Sequence, residues 1–262
     1  MNSLTSKKWR ESLERRWDDT IARLLAAKSG GRFLVRTVSP QQAGFLLERE
    51  THRECADSRG YQFAIMSGPS GVGRSTVGRE LMKRRIPGIP HYTTRAPRSV
   101  SEKRSGDYIY VTKKEFFRLK KEGKFLQTAE TYGQWRGIAK ATFNSLVRRR
   151  VKFYIDKSPW TTRKLIKKKE LRGKRYLRVF ILPPTFGELV RRLTGRTSGE
   201  EKRSGKGAKE IKTLARKEIL ARLRKAIEML KSSGGMYDCY LVNDRVARVA
   251  HLIQQYLASR KK

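Results

Sequence analysis

Cysteine is nearly absent from this chain. Cys55 and Cys239 stand far apart among 262 residues with no C-x-x-C neighbour, so neither a disulfide framework nor a zinc site is indicated, and a reducing compartment is expected. Histidine is almost as sparse. His52, His91 and His251 are isolated in sequence and read as structural or surface groups. No apolar run approaches the ~18 residues of a membrane helix, and the N-terminus carries no signal-peptide core. Glu11, Glu14, Asp18 and Asp19 argue against an arginine-rich transit peptide. What the chain lacks most is negative charge: 24 Asp and Glu face 62 Lys and Arg, giving a formal net charge of +38 and a pI near 10.9. Such a chain repels itself unless a polyanion neutralises it, and nucleic acid is the commonest one.

A hydrophobic fraction of 37% is enough for a core and excludes wholesale disorder. The charge is uneven. Residues 1–60 hold 12 basic and 8 acidic side chains, whereas residues 61–262 hold 50 and 16, so the globular part itself is basic. Near the N-terminus, Trp9, Leu13, Trp17, Ile21, Leu24 and Leu25 recur at steps of three and four, the period of one helix face, and Gly30 and Gly31 end the run. The stripe fits packing on the main domain; a docking helix for a partner protein through Trp9 and Trp17 is the sharper reading. A second helix is expected over 39–56, with Ser39 as cap and Pro40 in the first turn.

From Tyr61 the character changes. Apolar strand-like runs, "YQFAIMSG", "DYIYVT", "VKFYID", "LRVFILPP" and "YDCYLVND", alternate with helical stretches. That alternation predicts an α/β fold on a mainly parallel sheet, with ligands at the carboxyl ends of the strands. Residues 196–216, rich in Gly, Ser and Lys, read instead as a mobile or partner-ordered loop.

Residues 68–75 read "GPSGVGRS", a phosphate-loop pattern with Arg74 where Lys is usual. Gly68, Gly71 and Gly73 allow backbone amides to turn inward around an anion, Ser70 and Thr76 flank them, and Ser75 offers a hydroxyl to Mg²⁺. Arg74 keeps the charge, but a planar guanidinium is bulkier than an ammonium and favours bidentate contacts. The loop could also be an inherited turn with no ligand.

Read together, "MSGPSGVGRST", "YTTRAPR", "SGDYIYVTKKEFFRLKKEGKFLQTAETYGQWRG", "FILPPTFGELVRRLTGR", "EILARLRKAI" and "YDCYLVND" resemble, in order and register, the motifs of guanylate kinases. The resemblance covers 61–262 apart from the longer 196–216 segment. It implies a P-loop parallel sheet flanked by helices, a GMP-binding subdomain and a lid, with residues 1–60 as a helical N-terminal extension. It also implies that Arg95, Arg98 and Tyr108 hold the GMP phosphate, that Arg192, Arg196 and Arg222 belong to the lid, and that Asp156 is the second carboxylate of an Asp-x-Asp strand. Asp156 could equally be a satisfied structural carboxylate.

Other family positions differ. His91 stands for a serine, Gln127 for a glutamate that accepts from the guanine ring, Arg136 and Ile138 for the polar pair of a Tyr-Gly-[ST] turn, and Tyr154 for the first carboxylate. A neutral amide is a weaker acceptor than a carboxylate, and Ile138 offers nothing polar. Phosphate binding is retained while base reading and metal handling are reduced.

Between Arg148 and Arg178 lie 14 basic and 2 acidic residues, with Tyr154, Trp160 and Tyr176 interleaved. Together these features suggest a catalytically degenerate kinase fold acting as a structural rRNA-binding component of a ribosome or ribonucleoprotein, in a mitochondrial setting. Neighbouring ribosomal proteins would be partners, with no membrane contact and no required cofactor. RNA would be met by Arg148, Arg149, Arg150, Lys152, Arg163, Lys164, Lys167, Lys168, Lys169, Arg172, Lys174 and Arg175. One alternative is an active GMP kinase using Arg74, Asp156, Arg192 and Arg222, with ATP or GTP and Mg²⁺ at Ser75. Another is an inactive kinase fold that binds phosphopeptides.

Overall fold

A computed structural model of the chain describes residues 7–26, 37–38, 44–45, 60–97, 99–131, 133–201 and 208–258. In chain order the elements are α1 (Lys7–Ala26), β1 (Thr37–Val38), β2 (Gly44–Phe45), β3 (Phe63–Ser67), α2 (Arg74–Lys83), β4 (His91–Thr93), α3 (Val100–Arg104) and β5 (Tyr108–Tyr110). They continue with α4 (Lys113–Lys121), β6 (Phe125–Thr131), β7 (Gln134–Ala139), α5 (Lys140–Arg148), β8 (Phe153–Asp156) and α6 (Pro159–Leu165). The last are β9 (Tyr176–Leu182), α7 (Phe186–Glu201), α8 (Ala208–Lys231), β10 (Cys239–Val242) and α9 (Val246–Leu257).

The main sheet runs β10-β9-β3-β8, and all its pairings are parallel. β3 is buried at every position, as a strand covered by helices on both faces must be, which is why "FAIMS" reads as a continuous apolar run rather than an alternation. One face packs α2 and α9: α9 buries Val249, Ala250, Ile253, Tyr256 and Leu257 at helical spacing, and Arg84, the C-cap of α2, donates to Gln254 Oε1 at 3.1 Å. The other face holds a second apolar cluster, where Phe63 stacks on Phe153 at 4.9 Å and on Tyr176 at 5.3 Å. A mixed sheet, β5-β4-β7-β6, stands beside it, with β4 and β5 parallel and the other pairs antiparallel. The parallel P-loop sheet flanked by helices thus matches the expected fold class.

The N-terminal stripe covers the chain's own core. Leu13, Trp17 and Ile21 are buried, Trp9 packs partly against them, and the Trp17 ring lies 5.9 Å from Phe186 at the start of α7. Two expectations need correction. Within the helix expected over 39–56, Gly44–Phe45 is instead a strand paired antiparallel with Thr37–Val38; the other residues of that span lie outside the described residues. Glycine's poor helix propensity inside the stretch was the available warning. The segment 196–216 is not a loop at its ends, since α7 runs on to Glu201 and α8 begins at Ala208. Glu, Lys, Ala and Leu are strong helix formers, so a stretch with few apolar residues can still be helical. Residues 202–207 lie outside the described residues.

Candidate active site

The phosphate loop connects the carboxyl end of β3 to α2. Gly71 and Gly73 have φ of +88° and +91°, a region costly for any residue with a Cβ. At Gly73 a Cβ would also stand 2.5 Å from Asn243 Nδ2, and at Gly68 it would stand 2.5 Å from the Ile181 carbonyl oxygen. No side chain caps the first turn of α2, although the Thr76 amide already donates to Gly73 O at 3.0 Å, so the positive end of the helix dipole is open to an anion. A cavity of about 350 Å³ opens over this loop, lined by Ser70, Gly71, Gly73, Ser75, Arg192 and Asn243, with Thr76 at its edge.

Arg192 closes one side. It donates to Glu188 Oε1 at 2.7 Å, to Val72 O at 3.3 Å and to Asn243 O at 3.1 Å. Arg191, together with Arg192, holds the Glu188 carboxyl down at about 2, so this anchor is ionised over the working pH range. Asn243 is buried, donates to Val72 O at 2.7 Å, and has no partner for its Oδ1. From α8, Arg222 reaches Ser70 Oγ at 3.4 Å while pairing with Glu218. Thus Arg74, Ser75 and Arg192 line the cavity, and Arg222 reaches it through Ser70. Arg196 side-chain placement and Arg98 lie outside the described residues.

Arg74 and Asp156 are paired. Nη1 of Arg74 donates to Asp156 Oδ1 at 2.5 Å and to Lys157 O at 3.4 Å. Tyr154, two residues earlier on β8, points to the same face and fills the space beneath α2, where Gly78 and Gly88 make room for its ring. Burial pushes its phenol well above the ordinary range, so it remains neutral. The residue at the first carboxylate position is therefore a packing element.

The second sheet presents the other half of the site. Tyr108 is in register with His91, Tyr92 with Gly137, and Gln127 with Ile138, which sets Tyr108, His91, Ile138 and Gln127 in a row across four strands. Arg95 pairs with Glu102 at 2.7 Å and lies over the Tyr108 ring at 5.5 Å; Arg136 lies over the same ring at 5.6 Å. Gln127 donates from Nε2 to Thr161 O at 2.5 Å, and its Oε1 is buried without a partner. The His91 Nε2 is also buried and unpartnered, and burial, then Lys157, then Arg136 keep this imidazole neutral. Lys157 itself is 6% exposed, and burial pulls its ammonium down to about 8, with Arg136 acting in the same direction and Asp156 opposing. Sequence reasoning missed Lys157. It was one basic residue among many, although a lysine ending the apolar strand "FYID" was an available signal.

The run from Arg148 to Arg175 does not form the expected aromatic and basic platform. Tyr176 stacks in the core on Phe63, Tyr154 is buried, and Lys225 covers the half-exposed Trp160 at 5.4 Å. Lys152 donates to Tyr61 O at 2.7 Å, Arg175 lies over the Tyr61 ring, and Arg163 donates to Ser232 O at 3.0 Å. The remainder, Arg148, Arg149, Arg150, Lys164, Lys167, Lys168, Lys169, Arg172 and Lys174, are exposed side chains on a solvated face.

Comparison with known proteins bears on the same residues. The guanylate kinase family model matches residues 61–260. Among curated relatives, the guanylate kinase of Geobacter sulfurreducens is 30% identical over 196 residues, covering 74% of this chain and 86% of that protein. The guanylate kinase of Novosphingobium aromaticivorans is 30% identical over 221 residues, covering 84% and 91%. That of Nitratidesulfovibrio vulgaris is 35% identical over 188 residues, covering 70% and 80%. A crystal structure of guanylate kinase from Anaplasma phagocytophilum superposes with a TM-score of 0.54 at 25% identity, over 78% of this chain and 87% of that one.

These matches overturn the reading of the chain as a ribosomal, rRNA-binding protein, and with it the RNA-binding and mitochondrial terms that followed. That reading weighed net charge above motif order, whereas net charge speaks to solubility and non-specific contact rather than to fold or site. The better expectation was the alternative one, a kinase. With the family model spanning residues 61–260 and relatives at 30% identity over most of both chains, the chain belongs to the guanylate kinase family.

Proposed function

We propose that the protein is an ATP-dependent nucleoside monophosphate kinase, moving the γ-phosphoryl group of ATP to the phosphate of an acceptor nucleotide, GMP being the acceptor named by its family. The observation that carries this reading is the cavity over the left-handed glycines, with an uncapped helix start, Arg192 in its wall and Arg222 on its Ser70, in a chain whose second sheet brings Arg95 over Tyr108. Phosphoryl transfer needs positioning and charge stabilisation more than covalent chemistry, and these groups supply both. The loop amides hold the donor phosphates, Arg192 and Arg222 offset charge on the transferred group, and Arg95 with the Tyr108 hydroxyl holds the acceptor phosphate. An acceptor phosphate oxygen forms the new bond to the γ-phosphorus as the bond to the departing ADP oxygen breaks.

Mg²⁺ would enter with ATP and neutralise charge on its phosphates. Ser75, in the first turn of α2, would offer its hydroxyl to the ion.

The test is ADP formation when ATP, Mg²⁺ and a nucleoside monophosphate are supplied, beside the Gly73→Val variant. Turnover by the native chain and its loss in the variant is the expected result; a native chain that forms no ADP with any nucleoside monophosphate overturns the reading.

A further inference from the structure

The row of side chains across the second sheet ends in polar atoms that the fold leaves unused. Gln127 is 5% exposed, and its Nε2 is committed to Thr161 O, which fixes the Oε1 as a buried acceptor without a donor. His91 is 9% exposed with an unpartnered Nε2. Around them stand two cations: Arg136, whose buried Nε has no partner, and the buried Lys157, and both act electrostatically on His91. Buried polar atoms are costly unless a partner is supplied, and three of them on one face of the second sheet, Gln127 Oε1, His91 Nε2 and Arg136 Nε, point to a ligand that supplies it.

The pattern is one neutral acceptor among cationic donors. A base whose edge reads carbonyl, N–H, carbonyl fits it: the N–H donates to Gln127 Oε1, and the two carbonyl oxygens accept from Lys157 and Arg136. Xanthine and uracil carry this imide edge. Guanine replaces one of the two carbonyls by an amino group, a donor that would face a cation and leave both unpaired. We propose that the acceptor pocket selects a nucleoside monophosphate with an imide-edged base over GMP, with Gln127 and Lys157 as the specificity-determining residues. The inference rests on the kinase reading only for placing the base at this sheet. Burial of Lys157 adds to it, because an ammonium held out of water favours strong acceptors close by.

The experiment is calorimetric binding of XMP, UMP, IMP and GMP to the full chain without ATP, followed by ADP formation with the same four and ATP. XMP or UMP is expected to bind at least about tenfold more tightly than GMP, the scale of one or two hydrogen bonds to charged groups. Comparison of XMP with UMP shows which ring size the pocket takes, and IMP, which lacks any group at the discriminating position, should fall between. Lys157→Met should reduce the ratio to near unity, and Gln127→Glu should shift it toward GMP; Lys157→Gln serves if the methionine variant fails to fold. GMP binding as tightly as XMP and UMP, or none of the four binding, overturns the proposal whatever the turnover. Selective binding with no ADP formed leaves it standing and overturns the kinase reading instead.

Discussion

Arg74 and Asp156 form an ion pair of 2.5 Å that ties the cation of the phosphate loop, in the wall of the cavity, to the carboxyl end of β8. The pair is half-buried, so it is screened less than a surface bridge and restrains where the guanidinium can go. A lysine at this position would be a point charge on a flexible stem, better able to follow a moving phosphoryl group.

We therefore expect Arg74→Lys to raise kcat for ADP formation by about tenfold, the scale of one added electrostatic contact in a transition state. The thermal midpoint should change little. A kcat unchanged or lowered, measured by a coupled ADP assay, would show that the arginine already serves the donor phosphates as well.

The loop glycines make a second test. Gly73→Ala places a Cβ at φ +91° and within 2.5 Å of Asn243 Nδ2. The upward shift in thermal midpoint that ATP confers should disappear in the variant. Retention of the full shift would mean that the nucleotide does not use this turn.

Tyr154 and Gly78 are expected to be coupled. A Cβ at Gly78 would stand 2.4 Å from the Tyr154 hydroxyl, so Gly78→Ala should destabilise by about 1–3 kcal/mol through overpacking, less the few tenths to ~1 kcal/mol that alanine returns in a helix. Tyr154→Phe removes the clashing oxygen. The double variant should lose less than the sum of the singles in urea unfolding; strict additivity would refute the contact.

Trp17 carries the N-terminal helix. Trp17→Ala should cost about 3–5 kcal/mol, as for other large buried aromatics, whereas an alanine at exposed Arg15 should be nearly neutral. Equal midpoints for the two variants would mean that α1 (Lys7–Ala26) adds nothing to the stability of the core.

Stability should depend on pH through Lys157. Its folded value is near 8 against an ordinary 10.5. Below pH 8 both states hold the proton, and the folded state bears the whole burial penalty. Between 8 and 10.5 the unfolded chain binds more protons, so stability from this group rises with pH. Lys157→Met should therefore be more stable than the native chain below pH 8, with the gap closing toward pH 10.5. Parallel stability curves across that range would contradict the assignment.

Much of this was legible in the sequence. The apolar runs at 63–67, 153–156, 176–182 and 239–242 became the parallel sheet, because a strand covered on both faces must be apolar throughout. The glycine loop announced itself by spacing. The short strand His91–Thr93 and the pairing of β6 (Phe125–Thr131) with β7 (Gln134–Ala139) were not evident from periodicity. Charge misled, because a count of cations does not say which are already engaged: Lys152 with Tyr61 O, Arg163 with Ser232 O, Arg178 with Asp238.

By itself the sequence determined the fold class, the phosphate loop and the stripe of Trp17, since each depends on local order and spacing. The tertiary structure alone decided that Arg74 meets Asp156, that Tyr154 fits only because Gly78 and Gly88 lack a Cβ, and that Gln127 and His91 keep buried atoms without partners while Lys157 is buried. These residues are distant in the chain, and which polar atoms are left unpaired in a folded interior depends on every neighbour at once.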